Sequence, residues 1–207
     1  MTPASLVLST QRALTPEMLA LCDEADGLII VAGARAAGKS TLVGALIGHI
    51  LQNRRDYVVT LENRIQAVHE SRVSLVSQRE VAPAQHAQGI LAAVREGADV
   101  IVLDEIQTGA AAREVLEAAR GHLVICALAA VDAASALDAY FDLLAAGERP
   151  AACETMSRVL RGVVAQRLAR QNREGRFASR ELLLNTPATS AMIAGGRFMH
   201  LSAELHA

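Results

Sequence analysis

Residues 28–32 read LIIVA and residues 33–41 read GARAAGKST, and this junction decides the fold. An unbroken apolar run of this length is typical of a strand that is buried on both faces of a parallel sheet. Residues 39–52 (KSTLVGALIGHILQ) then repeat apolar side chains at helical spacing. The stretch therefore predicts a strand, a loop and a helix in direct succession.

The loop matches the pattern G-x-x-x-x-G-K-[ST]. Small residues let backbone N–H groups wrap phosphate oxygens, the lysine reaches the β and γ phosphates, and the hydroxyl ligates magnesium. A helix that begins at the loop adds a partial positive charge. We predict a nucleotide phosphate site with Mg²⁺; the alternative is a Gly/Ala-rich turn that arose by chance. The expected contacts are Gly33, Ala34, Arg35, Ala36, Ala37, Gly38, Lys39, Ser40 and Thr41, with Ser40 on the metal.

Apolar segments and helical patterns alternate along the rest of the chain. Strands separated by helices of this length require crossover connections, so we predict an α/β fold with a mostly parallel sheet and helices on both faces. The strand patterns cover 56–62, 74–78, 99–105, 122–130 and 179–185. The helical patterns cover 15–26, 85–96, 110–119, 133–145 and 154–171.

Composition excludes several classes of protein. The net charge is −2 and aromatic residues make up 2% of the 207 residues, so neither a basic field nor stacking side chains favour nucleic acid. The three cysteines include no C-x-x-C pair, which predicts reduced thiols rather than disulfides or a zinc site. No apolar run approaches the length of a membrane span. We expect a soluble, cytoplasmic protein.

Two further stretches supply acids. DVIVLDE (99–105) ends in Asp104 and Glu105, and DYVVTLE (56–62) ends in Glu62. Ligands collect at the carboxyl ends of parallel strands, so the three carboxylates are expected near the phosphates. Because adjacent strand residues point to opposite faces, we assign Glu105 to water activation and Asp104 to magnesium or to structure. A solvated strand end is the alternative.

Three more segments complete a recognisable order of motifs. TLENRIQAVHESRVSLVSQREV (60–81) is similar to an acidic box followed by V-x-Q-R-E-V, GHLVICALAA (121–130) to a histidine box, and RELLLNTPATSAMI (180–193) to a closing segment with T-P-A. In this order the chain resembles the RecA-like motor domain of the secretion ATPases. The type IV pilus retraction (twitching-motility) branch and its type II secretion relatives are most similar.

The resemblance covers residues 15–201, leaving 1–14 as an extension and 202–207 as a tail. It implies a hexameric ring that hydrolyses ATP with Mg²⁺ and moves a pilus or pseudopilus. The implied partners are pilus or secretion platform proteins and related ATPase subunits, with no nucleic acid, and the implied location is at most peripheral to the inner membrane.

Residue by residue, the resemblance carries over several roles. Lys39 and Ser40 match the phosphate loop, Glu62 the first acid of the acidic box and Glu105 the catalytic glutamate. His122 matches the first histidine of the histidine box, which implies a nucleotide-sensing contact; the alternative is a polar residue that caps a strand.

The chain also departs from the family pattern. Asn63, Arg64 and Gln66 replace Asp, Pro and Glu of the acidic box; Ala129 replaces the second histidine; Gln107 replaces Arg. These changes are expected to weaken metal positioning and the sensing of hydrolysis. A second hypothesis is therefore a nucleotide-binding but hydrolytically poor regulatory or structural subunit. A small-molecule kinase is a third, although no lid or acceptor motif supports it.

Family members also carry an N-terminal PAS-like domain whose arginines reach the nucleotide. Here the first strong strand already begins at residue 28, so we expect that positive charge to come from a partner, from loop residues such as Arg35, or not at all. The basic stretch 158–173 is expected to be a helix, either a partner surface or a solvated face. His69 and His86 show no metal-ligand spacing and are expected to face solvent.

Overall fold

The computed structural model describes residues 14–171, 175–198 and 201. The described residues form a seven-stranded sheet, in which β1–β6 run parallel and β7 pairs antiparallel with β6. The strands are β1 (Gly27–Ala32), β2 (Tyr57–Glu62), β3 (Leu75–Glu80), β4 (Val100–Leu103), β5 (Leu123–Leu128), β6 (Leu160–Gln171) and β7 (Gly175–Leu184). Their order across the sheet is β3-β2-β4-β5-β1-β6-β7.

Helices cover both faces of the sheet, and the predicted α/β class is confirmed. α1 and α2 pack on one face and the remaining α-helices on the other. A 3₁₀ turn over Pro83–Gln85 leads into α3. The helices are α1 (Pro16–Cys22), α2 (Lys39–Asn53), α3 (His86–Arg95), α4 (Gly109–Ala118), α5 (Ala133–Asp142), α6 (Arg149–Val159) and α7 (Pro187–Ala194).

The central strand β1 shows why its sequence is apolar throughout. Leu28 and Ile30 belong to the hydrophobic cluster on one face, whereas Ile29 and Val31 belong to the cluster on the other. All four side chains are fully buried. Successive strand residues alternate between faces, so a strand with both faces covered needs an apolar residue at every position.

Two helix starts follow directly from local sequence. The Thr15 hydroxyl accepts a hydrogen bond from the N–H of Met18, and Pro16 is the first residue of α1. The same arrangement of Thr186 and Pro187 opens α7. A threonine cap supplies an acceptor for an unpaired N–H, and proline lacks the N–H that would stay unpaired at this position.

The prediction of a helix over 154–171 is wrong beyond Val159. Residues 160–171 instead form β6, which lies between β1 and β7 in the sheet. Val163 and Val164 are both fully buried although they are adjacent, so both faces of the strand are covered. The helical spacing of the apolar residues was misleading, because pairing with β1 and burial on both faces of the sheet decide the local structure of this segment.

All the parallel strands end at one edge of the sheet, called the carboxyl edge here. The loop 33–38 leaves β1 at this edge. Within the part of the chain that the structure describes, no helix is both long and apolar enough to cross a bilayer. Residues 1–13 and 202–207, most of the expected extension and the whole tail, lie outside the described residues.

Candidate functional site

The loop between β1 and α2 has the backbone that its small residues allow. Gly38 precedes the first turn of α2 with φ 87°, and Ala36 has φ 60°, both in the left-handed region. A Cβ placed on Gly33 would lie 2.9 Å from the backbone oxygen of Gln166. Glycine is therefore required at 33 by close approach and at 38 by conformation.

Lys39 turns back over this loop. Its Nζ donates to the carbonyl oxygen of Gly33 at 2.8 Å and lies 3.5 Å from Oε1 of Glu105. The side chain is 12% exposed. The structure thus brings together the lysine of the phosphate loop and the glutamate assigned to water activation, although they come from separate segments.

Asp104 and Glu105 both lie beyond the end of β4, so the expected separation onto opposite strand faces does not apply to them. The Asp104 carboxylate accepts two backbone N–H groups at 2.7 Å, from Asn63 through one oxygen and from Glu105 through the other. Asp104 therefore ties the end of β4 to the end of β2. This arrangement supports the structural role that was one of its two expected roles.

Glu62 ends β2 and belongs to the same region. Its Oε1 accepts hydrogen bonds from the Thr60 hydroxyl at 2.7 Å and from the side-chain amide of Gln78 at 3.1 Å. A cavity of about 450 Å³ opens next to it; among its lining residues are Ser40, Thr41, Glu62, Gln66 and Asp104. Hydroxyl and carboxylate oxygens are the ligands that Mg²⁺ prefers, so the donor set fits this metal.

The two histidines that were expected to face solvent do not do so fully. His86 is completely buried; its Nε2 lies 3.2 Å from the carbonyl oxygen of Val81 and 3.8 Å from Oδ1 of Asp104. His69 lines the cavity, and its partial burial lowers its pKa, an effect that Glu62 opposes. For His86 the expectation of a solvent-facing side chain is wrong, because α3 packs its first residue inward.

His122 is not brought to the loop. It precedes β5 at the opposite edge of the sheet, where its Nδ1 lies 2.8 Å from the carbonyl oxygen of Ala98 and its own carbonyl accepts the N–H of Gly27. The full length of β5 separates His122 from the carboxyl edge, where the loop lies. A contact between His122 and nucleotide in the loop of the same chain is therefore incompatible with this geometry. Ala129, in contrast, directly follows β5 at the carboxyl edge.

Sequence reasoning missed Gln166 and Arg180. Gln166 is 3% exposed and donates from its side-chain amide to the carbonyl oxygen of Ala37 at 2.8 Å. Arg180 on β7 donates to the other end of that amide at 2.8 Å, and burial lowers the pKa of its guanidinium. One signal was present, because the apolar run GVVA (162–165) ends at the polar residue Gln166.

Comparison with known proteins shows the family to which the sequence and the fold of this chain belong. Residues 5–198 match the family model described as "Type II/IV secretion system protein". The uncharacterized protein YggR of Escherichia coli is 37% identical over 185 residues, which cover 88% of this chain and 56% of that protein. The type IV pilus retraction ATPase PilT of Pseudomonas aeruginosa is 33% identical over 174 residues, covering 83% and 51%.

A solved structure agrees with the sequence comparison. The crystal structure of the pilus retraction motor PilT with bound ADP has a TM-score of 0.87 and 29% identity, covering 93% of this chain and 57% of that one. The RecA-like fold predicted from the motif order is therefore confirmed. The chain spans about half the length of the curated relatives it matches.

Proposed function

The chain belongs to the type II/IV secretion system protein family, and on that premise we propose that it is an ATP-binding and ATP-hydrolysing motor subunit. In this proposal residues 15–201 are the RecA-like ATPase domain. The machine would be a type IV pilus or a type II secretion system. The names of the relatives support the class of machine, and the motif order supports the retraction branch.

One observation carries the proposal: the ammonium group of Lys39 and the carboxylate of Glu105 lie 3.5 Å apart at the carboxyl edge. Phosphoryl transfer to water needs a cation on the phosphates and a group that orients the water, both at the same point. Lys39 and the loop N–H groups stabilise the charge of the phosphates. Glu105 accepts a hydrogen bond from the attacking water and orients it.

Ser40 and Asp104 would hold Mg²⁺, which neutralises phosphate charge when bound. Ser40 offers a hydroxyl at the start of α2. The Asp104 carboxylate is already an acceptor for two backbone N–H groups, so it would hold the metal through its remaining lone pairs or through water. Glu62 lines the same cavity and adds negative charge to it.

A second candidate is a regulatory subunit that binds nucleotide but hydrolyses it poorly. It is favoured by the position of three departures from the family pattern. Gln66 lines the cavity, Asn63 lies next to Asp104, and Ala129 follows β5 at the carboxyl edge. Each replaces a group that could carry charge or a proton with one that cannot.

We further propose that the subunit works in a ring with copies of itself or with related ATPase subunits, in the cytoplasm and at most peripherally at the inner membrane. Size-exclusion chromatography with light scattering, with and without ATP, tests the assembly. A monomer under every nucleotide condition would contradict a ring built from this chain alone.

Steady-state ATP hydrolysis and binding of a fluorescent ATP analogue test the two candidates. The comparison uses the wild type, Lys39→Ala, Glu105→Gln and, as a matched control, Glu117→Gln on the exposed side of α4. A motor subunit turns over ATP. It loses both binding and turnover with Lys39→Ala, whereas Glu105→Gln loses turnover and keeps binding. A wild type that binds nucleotide but turns over no faster than Glu105→Gln supports the regulatory candidate.

A further inference from the structure

The side-chain amide of Gln166, a residue of β6, is buried and contacts the phosphate loop. Its Nε2 donates to the carbonyl oxygen of Ala37 at 2.8 Å, and its Oε1 accepts from Nε of Arg180 at 2.8 Å. A carbonyl can only accept and a guanidinium can only donate, so the two partners together fix which end of the amide faces the loop.

Gln166 also meets the other end of the loop. Its backbone oxygen lies so close to Gly33 that a Cβ there would approach it to 2.9 Å. β6 pairs with β1 up to the residues just before this point, Ala165 and Ala32. One residue of β6 therefore contacts both the first residue of the loop and Ala37, next to its last.

The contact with Ala37 determines the direction of a neighbouring donor. In a trans peptide the C=O of one residue and the N–H of the next point in opposite directions. A donor that holds the Ala37 carbonyl toward β6 therefore turns the N–H of Gly38 away from β6. Loop N–H groups are the ones that bind phosphate in this motif, so their direction affects affinity.

We infer that Gln166 is a positioning residue for the phosphate loop and that Arg180, its cross-strand partner in β7, orients it, so that the β6–β7 pair tunes nucleotide affinity. This inference rests on the proposed nucleotide binding. The residues beside this pair are anchored as well, since Arg167 donates to the carbonyl oxygen of Val131 and Glu181 accepts the N–H of Ala133. The pair therefore has a fixed position relative to the segment that follows β5.

The test compares Gln166→Leu, Gln166→Glu and Arg180→Leu with the wild type. Gln166→Glu keeps an acceptor for Arg180 but places an oxygen against the oxygen of Ala37. Gln88→Glu, an exposed change on α3, is the control for added charge. Two quantities are measured: the Kd of a fluorescent ADP analogue, and hydrogen exchange of a peptide spanning residues 33–41 without nucleotide.

Gln166→Glu and Gln166→Leu are expected to weaken ADP binding roughly tenfold, which corresponds to about 1.4 kcal/mol. The peptide 33–41 should exchange faster, while a β4 peptide exchanges as in the wild type. Because Arg180 acts through Gln166, the double change to leucine should weaken binding no more than Gln166→Leu alone.

Unchanged exchange of 33–41 in both Gln166 variants would overturn the inference, as would additive effects of the two leucine substitutions. The exchange measurement needs no nucleotide, so it separates this failure from that of the proposed function. A wild type that binds no nucleotide would overturn the proposed function and the claim on affinity. If Gln166→Leu does not fold, Gln166→Glu decides the outcome.

Discussion

Nζ of Lys39 lies 3.5 Å from Oε1 of Glu105 and 2.8 Å from the carbonyl oxygen of Gly33, so a single ammonium group is shared between the loop and the residue proposed to orient water. Phosphate oxygens would have to compete with these acceptors for the lysine. The arrangement links the strength of nucleotide binding to the catalytic carboxylate.

Glu105→Gln is therefore expected to act on binding and on turnover in opposite directions. Loss of a negative acceptor frees Lys39 for phosphate, so ADP affinity should stay equal or rise a few-fold. Loss of the carboxylate that orients the attacking water should lower hydrolysis by about 10²–10⁴-fold. Isothermal titration calorimetry and a phosphate-release assay measure the two effects, with Glu117→Gln as control. A large loss of ADP affinity would contradict the shared-lysine interpretation.

Asp104→Asn should destabilise the protein. The carboxylate accepts the N–H groups of Asn63 and Glu105, and an amide offers only one oxygen for these two donors. Leaving a donor unpaired costs about 1–3 kcal/mol, which urea denaturation would show as a lower free energy of unfolding. Glu70→Gln, at an exposed position between β2 and β3, should change it by less than about 0.5 kcal/mol. Equal effects of both changes would argue against the tie.

Gly33→Ala should distort the loop, because the added methyl group would overlap with neighbouring atoms. The added Cβ would lie 2.9 Å from the Gln166 backbone oxygen and 3.1 Å from Cβ of Ala37. Overpacking of this kind costs about 1–3 kcal/mol, so both the thermal midpoint and ADP affinity should fall. Gly121→Ala is the matched control, because nothing lies within 4 Å of its Cβ position. If both variants behave alike, the close approach does not constrain the loop.

Asp132 should make the free energy of unfolding depend on pH in the acid range. Asp132 caps α5. Its pKa lies below the usual 3.8, because the side chain and the backbone N–H of Ser135 both form hydrogen bonds with Asp132. A lowered pKa in the folded state stabilises the protein above 3.8, and this stabilisation is lost as pH falls through the folded value.

Asp132→Ala should accordingly cost about 1 kcal/mol at neutral pH, and its difference from the wild type should shrink below pH 4. Asp132→Asn keeps an acceptor for the cap but removes the titrating group, so its stability relative to Asp132→Ala should not change with pH. Urea denaturation at a series of pH values checks both. A constant difference between wild type and Asp132→Asn would refute the titration.

The thiols should be unreactive in the folded protein. Burial raises the pKa of Cys22 to about 12 and also raises those of Cys126 and Cys153. Because the thiolate is the nucleophile, reaction with Ellman's reagent at pH 8 should be slow until urea unfolds the chain, after which three thiols react. Rapid labelling of the native protein would show that the packing around these residues opens readily.

Most of the parallel sheet could be predicted from local patterns, and β6 shows where such patterns stop. Val159 and Val163 have helical spacing, yet the structure ends α6 at Val159 and begins β6 directly after it. A short apolar run fits either structure by spacing alone. Whether residues 160–171 become a strand depends on β1 and β7 being available as neighbours, which no local pattern records.

The sequence by itself determined the junction of β1, loop and α2, because glycine conformation, helix start and apolar alternation act within a few residues. The strand patterns also predicted that three carboxylates lie at the carboxyl ends of strands, those of Glu62, Asp104 and Glu105. Only the tertiary structure decided that His122 lies at the opposite edge of the sheet and that Gln166 reaches Ala37, 129 residues earlier in the chain. Such contacts arise from how distant segments share a buried space, and their geometry is set by packing rather than by spacing along the chain.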